Sequence, residues 1–92
     1  MKAIWKYPIN TRSHGNKFII DLPYNARIFT VRMQGNTPCI WAMVDTKEET
    51  EERIFIIYGT GWEVKEENDD LVYIDTYLEQ GGNCVWHLFE VI

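Results

Sequence analysis

Few residues in this 92-residue chain have types and spacing that could do chemistry. Ser13 is the only serine and stands beside His14 in the polar segment Asn10–Asn16. Neighbours in sequence do not by themselves make a nucleophile–base pair, and no strand–turn–helix elbow surrounds them. They read as an ordinary turn. His87 lies within Val85-Trp86-His87-Leu88-Phe89 and reads as a half-buried strand histidine, although imidazole titrates where proton transfer needs it. Catalysis would require His14 or His87 to meet an acid across the fold, and no spacing supplies one. The expectation is a protein that is not an enzyme.

Cys39 and Cys84 stand 45 residues apart, each inside an apolar, strand-like run. Neither they nor the two histidines have C-x-x-C or H-x-x-x-H spacing, so no zinc site is expected. The plain reading is two buried, reduced thiols. Glu66-Glu67-Asn68-Asp69-Asp70 offers oxygen ligands but lacks the alternating spacing, central glycine and terminal glutamate of an EF-hand loop. It reads as a solvated acidic loop. No metal and no cofactor are expected.

Gly59-Thr60-Gly61 is the one glycine pattern that suggests a ligand. Paired glycines after a strand can expose backbone amides to an anion. A third glycine, a following helix and a Lys-Ser/Thr pair are all missing, so the dinucleotide and P-loop fingerprints fail. Two readings stay open. In one, Gly59 and Gly61 make a tight turn while Tyr58 and Trp62 pack into the core. In the other, Tyr58 and Trp62 stack on a ring, Arg27 and Arg32 pair with its phosphate, and the amides near Gly59 and Gly61 complete the site.

The charge pattern points elsewhere. Residues 1–44 hold six Lys/Arg against Asp21 alone, a net +5, whereas residues 45–92 hold three against 13 acids, a net −10. Eight of those acids cluster, as Glu48, Glu49, Glu51 and Glu52 and as Glu66, Glu67, Asp69 and Asp70. Interleaving of strands from the two halves would mix the charges, and that is the plainer expectation. Segregated charges would instead mark a charged partner or head-to-tail self-association. The overall net charge of −5 argues against binding of duplex nucleic acid.

The elements that must position these residues are strands. Period-2 alternation dominates, and no long window has the helical period. Seven runs are expected as strands: Ala3–Ile9, Lys17–Leu22, Arg27–Gln34, Cys39–Val44, Arg53–Tyr58, Leu71–Leu78 and Cys84–Ile92. Pro8 cannot donate to a ladder, so the first run ends there or forms a sheet edge. Cys39–Val44 is apolar at every position, as a central strand covered on both faces would be. Asp45–Glu52 reads as a solvated acidic loop. The fold class is all-β: a single domain over residues 1–92, a small antiparallel meander closed into a barrel or folded into a two-sheet sandwich. No apolar run approaches the roughly 20 residues of a membrane span. With no apolar leader in Met1–Lys6, a cytoplasmic protein is expected.

Four stretches carry a resemblance. Ile4-Trp5-Lys6-Tyr7-Pro8, Pro38-Cys39-Ile40-Trp41-Ala42-Met43-Val44-Asp45, Ile57-Tyr58-Gly59-Thr60-Gly61 and Gly81-Gly82-Asn83-Cys84-Val85-Trp86-His87-Leu88-Phe89-Glu90 occur in that order. Together they resemble a family of uncharacterised small proteins of tailed phages and prophages. That family often has a histidine after the Gly-Thr-Gly corner, where this chain has Trp62. The resemblance implies no activity. It does imply a phage-type binding protein, acting in the bacterial cytoplasm in host takeover or counter-defence. Apolar strands at the edge of so small a fold invite strand pairing or face-to-face packing, so a homo-oligomer is expected. Such a protein would dock its acidic surface on a basic host protein, or sequester a phosphate-bearing signalling nucleotide. A structural or assembly component of the virion is the reading from another class.

Overall fold

The computed structural model describes residues 1–10, 14–65, 70–79 and 81–92. Seven strands follow one another: β1 (Lys2–Pro8), β2 (Phe18–Pro23), β3 (Arg27–Gln34), β4 (Thr37–Asp45), β5 (Thr50–Gly59), β6 (Leu71–Leu78) and β7 (Val85–Val91). All pairings are antiparallel, and the described residues contain no helix. The strands form two sheets, ordered β1-β4-β3 and β2-β5-β7-β6. The sheets do not close into a barrel, so the sandwich is the arrangement that forms.

Local sequence explains most of these elements. Gly35 takes a left-handed φ of 60° at the β3–β4 turn, where a side chain would strain the backbone. β1 is an edge strand and stops at Pro8, which has no amide to donate. β4 is the central strand of its sheet, and Ile40, Ala42 and Val44 are fully buried. The intervening Trp41 and Met43 face outward and are only half-buried, so the run is covered on one face and partly shielded on the other.

β5 starts three residues before the expected Arg53, because its ladder with β2 continues through Asp21–Glu52 and Leu22–Glu51 to Pro23–Thr50. Glu51 and Glu52 are therefore strand residues, and the acidic loop is shorter than the composition suggested. Cys39 is buried, but Cys84 is exposed. Its apolar neighbours suggested burial, yet it sits just before the ladder of β7 begins at Val85 and lines the surface of a turn.

Phe55, Ile57 and Leu88 of the larger sheet pack with Leu22, Val31, Ile40 and Val44 into one core, all of them almost completely buried. The sheets meet where β3 runs beside β6. Each of these strands has a register shift there, between Ile28 and Thr30 and between Tyr73 and Asp75. No ladder bridges the junction. The Asp75 carboxylate accepts from the Thr30 hydroxyl and, at 3.1 Å, from the Val31 amide. Beside this junction Arg53 grips Glu90 twice, at 2.6 and 2.8 Å, and donates to the Ala26 carbonyl at 2.5 Å.

The two halves of the chain do not interleave. β1, β3 and β4 all come from the first 45 residues and carry Lys2, Lys6, Arg27 and Arg32 against Asp45. The larger sheet carries Asp21, Glu51, Glu52, Asp75 and Glu90 against Arg53. Only β2 crosses from the first half to the second sheet. The charge asymmetry of the sequence thus survives folding as a basic sheet and an acidic sheet.

Candidate functional site

A cleft lies at the end of the larger sheet where β5 stops and β7 begins. Gly59, Thr60, Trp62, Asn83, Cys84, Val85 and Trp86 line it, around a volume of about 330 Å³. Its floor is set by ladder register, which puts Gly59 opposite Trp86. The chain then turns sharply: the Trp62 amide donates to the Gly59 carbonyl at 3.1 Å, and Gly61 takes a φ of 85° at the third position. That turn folds the Trp62 indole back over Gly59. The indoles of Trp62 and Trp86 stand nearly perpendicular, at 87°, with centroids 5.3 Å apart.

Trp86 is fixed from several sides. The His14 ring stacks on it at 3.8 Å, and its indole N–H donates to the Glu79 carboxylate at 2.9 Å. His14 reaches this position because the next residue, Gly15, turns through a φ of 79° and donates its amide to the Ile57 carbonyl at 2.7 Å. His14 Nε2 also lies 3.3 Å from the Tyr77 hydroxyl. Burial holds the His14 pKa below the ordinary histidine range, against the opposing pull of Glu79. Burial, aided by Glu79, raises that of Tyr77. The ring is therefore neutral at neutral pH, and it supports a wall of the cleft.

Gly59 is needed where it stands. A Cβ there would sit 2.8 Å from the Trp62 Nε1 and 3.1 Å from the Trp86 ring. The half-exposed Trp62 can swing away from such a methyl more easily than the anchored Trp86. Gly59→Ala should therefore expel Trp62 into water, seen as a red-shifted, more quenchable tryptophan emission, at a cost of only about 1–2 kcal/mol.

The residues suggested for a phosphate pocket are not brought together. Trp62 and Gly59 line the cleft; Gly61 shapes its turn. Tyr58 points to the opposite face of β5, buried, with its ring edge-on to Phe89. Arg27 lies at the far end of the molecule in a depression lined by Arg53 and Glu90. Arg32 belongs to the β3–β6 junction, where its charge acts on Asp75. Two amides of the corner are already committed, Thr60 to the Val85 carbonyl and Trp62 to that of Gly59. Pattern reading identified the corner and Trp62. It missed Trp86, Asn83 and Cys84, which only the β5–β7 register brings alongside.

The acidic residues fare differently. Glu48, Glu49, Glu52 and Asp70 are exposed, whereas Glu51 is half-buried and accepts the Asn25 amide at 3.2 Å. Glu66, Glu67 and Asp69 lie outside the described residues. Register places Asp70 beside the end of β7, through the Ile92 amide at 2.9 Å, and Glu52 two residues before the Ile54–Val91 pair. Asp70 and the Glu48–Glu52 segment thus share the end of the larger sheet opposite the cleft. Asp21 joins them as the direct cross-strand neighbour of Glu52.

His87 meets hydroxyls rather than an acid: Thr60 at 2.7 Å on Nε2 and Thr76 at 3.0 Å on Nδ1. Among the described residues no group of three or more His, Cys, Asp or Glu could hold a metal ion. No helix of the described residues is long and apolar enough to cross a membrane. No curated protein and no solved structure matches the chain. A protein-family model matches it over residues 1–92, and the chain belongs to that family, a domain of unknown function (DUF7352).

Proposed function

We propose that this is a non-enzymatic, phage-type binding protein of the host-takeover or counter-defence kind, which docks its acidic surface on a basic patch of a host protein. The observation that supports the reading is the separation of charge onto the two sheets, with exposed Asp21, Glu48, Glu49, Glu52 and Asp70 gathered at one end of the acidic one. One detail of that end supports a role other than folding. Asp21 and Glu52 face each other across the ladder, and like charges in that position destabilise a sheet. Residues that lower stability without filling the core are common at binding surfaces.

Two measurements separate docking from folding. Asp21→Lys turns the repulsive pair into an attractive one and should raise stability by about 0.5 kcal/mol in urea denaturation. Glu48→Lys, Glu49→Lys and Glu52→Lys together should leave the fold intact and abolish capture of the partner by immobilised protein. Capture by the native protein should also weaken steeply with added salt, as electrostatic docking requires. A partner retained equally by the triple variant, or held regardless of salt, would overturn the reading. Stable incorporation into purified virions would replace it with an assembly role.

A further inference from the structure

We propose that the cleft lined by Trp62 and Trp86 binds one uncharged, planar heterocycle of nucleobase or nucleoside size. This site lies at the opposite end of the larger sheet from the acidic surface, so the two proposals stand or fall separately.

The walls come first. Trp62 leaves 46% of its surface exposed although it belongs to an ordered turn beside a buried strand end. It thus offers a flat apolar face beside a second, rigidly held indole, the kind of surface on which a planar ring stacks. Trp86 is held by the His14 stack, the Glu79 hydrogen bond and the edge of Trp62, so its orientation is set before any ligand arrives. Rigid, pre-oriented aromatic walls lower the ordering cost of binding a flat ring.

The polar groups then point to the ligand's edge. The Trp62 indole N–H, poised over Gly59, donates to no described residue, and the Asn83 carboxamide and Cys84 thiol likewise have no partner among them. Together they supply donors and an acceptor at the rim of an otherwise apolar cleft, the combination that orients a small ligand. Asparagine is well suited to the paired donor and acceptor of a nucleobase edge. The volume of about 330 Å³ lies at the low end for small-molecule sites, which fits a single ring system with a sugar rather than a larger cofactor.

The charge of the ligand follows from what lines the cleft. Among the described residues no Lys or Arg does, and the Thr60 and Trp62 amides are committed within the turn. The Glu79 carboxylate stands behind Trp86. A phosphate would meet no countercharge among the described lining residues and would stand near a negative one, so the heterocycle binds without it.

The indole N–H resonances of the four tryptophans give a site-resolved test in a proton–nitrogen correlation spectrum. Adenosine, guanosine, cytidine and uridine are titrated separately into the full-length protein, followed by AMP. At least one nucleoside should shift the Trp62 and Trp86 resonances saturably, leaving Trp5 and Trp41 in place, and AMP should bind no tighter than adenosine. Trp62→Ala, at an exposed position, should weaken binding roughly tenfold or more, the loss expected of one stacking partner. Asn83→Ala, in the β6–β7 connection, gives an independent second variant and should weaken binding several-fold. No saturable shift with any nucleoside into the millimolar range would overturn the proposal. So would equal shifts of all four indoles, binding that Trp62→Ala and Asn83→Ala leave unchanged, or AMP binding tenfold tighter than adenosine, which would restore a phosphate-led site.

Discussion

Arg53→Ala and Glu90→Ala should each destabilise the protein by about 3 kcal/mol, lowering the midpoint of thermal unfolding by roughly 12–24 °C for a domain of this size. The pair is largely buried, with side-chain exposures of 18% and 14%, and its geometry is bidentate. The third guanidinium bond, to the Ala26 carbonyl, ties β5 to the link between β2 and β3 and so to the start of the other sheet. Removing either partner leaves the other's charge in an environment that only the pair made tolerable. The Glu90 carboxylate is the main reason that the Arg53 pKa rises, with Glu51 adding to it and burial opposing. Arg53→Met combined with Glu90→Leu should recover most of the loss, since apolar replacement of a buried pair is often neutral. Urea denaturation of the three variants checks this. A cost below about 1 kcal/mol for both single variants would mean that the pair is solvated like a surface ion pair.

Asp75→Ala is the second large effect, at about 2–3 kcal/mol. The Asp75 carboxylate takes the place of a missing ladder bond between the sheets, and without it the Val31 amide and Thr30 hydroxyl lose their acceptor at a half-buried junction. The effect carries a pH signature. Partial burial alone would raise the Asp75 pKa, but hydrogen bonds from Thr30, the Thr76 amide and the Val31 amide, with the charge of Arg32, outweigh it and hold the pKa below the ordinary carboxylate range. A depressed folded-state pKa means that the unfolded chain binds the proton more readily. The stabilisation is therefore complete above the ordinary aspartate value of about 4 and is lost as pH falls through the lower, folded one. The difference between native protein and Asp75→Asn should be constant from about pH 5 to 7 and shrink in more acidic solution. A difference that stays flat down to pH 3, or one that grows there, would contradict the clasp.

The seven strands were legible because their evidence is local. Alternation in Phe18-Ile19-Ile20-Asp21-Leu22 or Phe29-Thr30-Val31-Arg32-Met33 is a property of a few neighbouring residues, and short polar turns, several with glycine, separate one run from the next. Errors came at the ends. Glu51 and Glu52 read as loop because charge outweighs propensity in a short window, yet they pair with Leu22 and Asp21, residues 29 and more positions away. Cys84 read as core because of its apolar neighbours, although the ladder begins one residue after it.

The candidate cleft was only half legible. Gly59-Thr60-Gly61 and Trp62 stood out as a turn with an aromatic beside it. Their partners Asn83, Cys84 and Trp86 follow from the pairing of β5 with β7, which no pattern within either strand specifies. The same holds for Arg27 and Arg32. Their residue types suit a phosphate, but β3 belongs to the other sheet and carries them away from the corner.

By itself the sequence determined an all-β chain, its turns, the alternation that defines each strand's two faces, and the charge imbalance between its halves. Those features depend on side-chain period and on composition, which are complete within any short segment. Tertiary structure alone decided the sandwich over the barrel, the retention of that imbalance as two oppositely charged sheets, the Asp75 clasp, and the company that Trp62 keeps. Each of these rests on which distant strands share a ladder. That choice is made by burying Phe55, Ile57, Leu88, Leu22 and Val31 together, and the free energy of burying them belongs to no single strand.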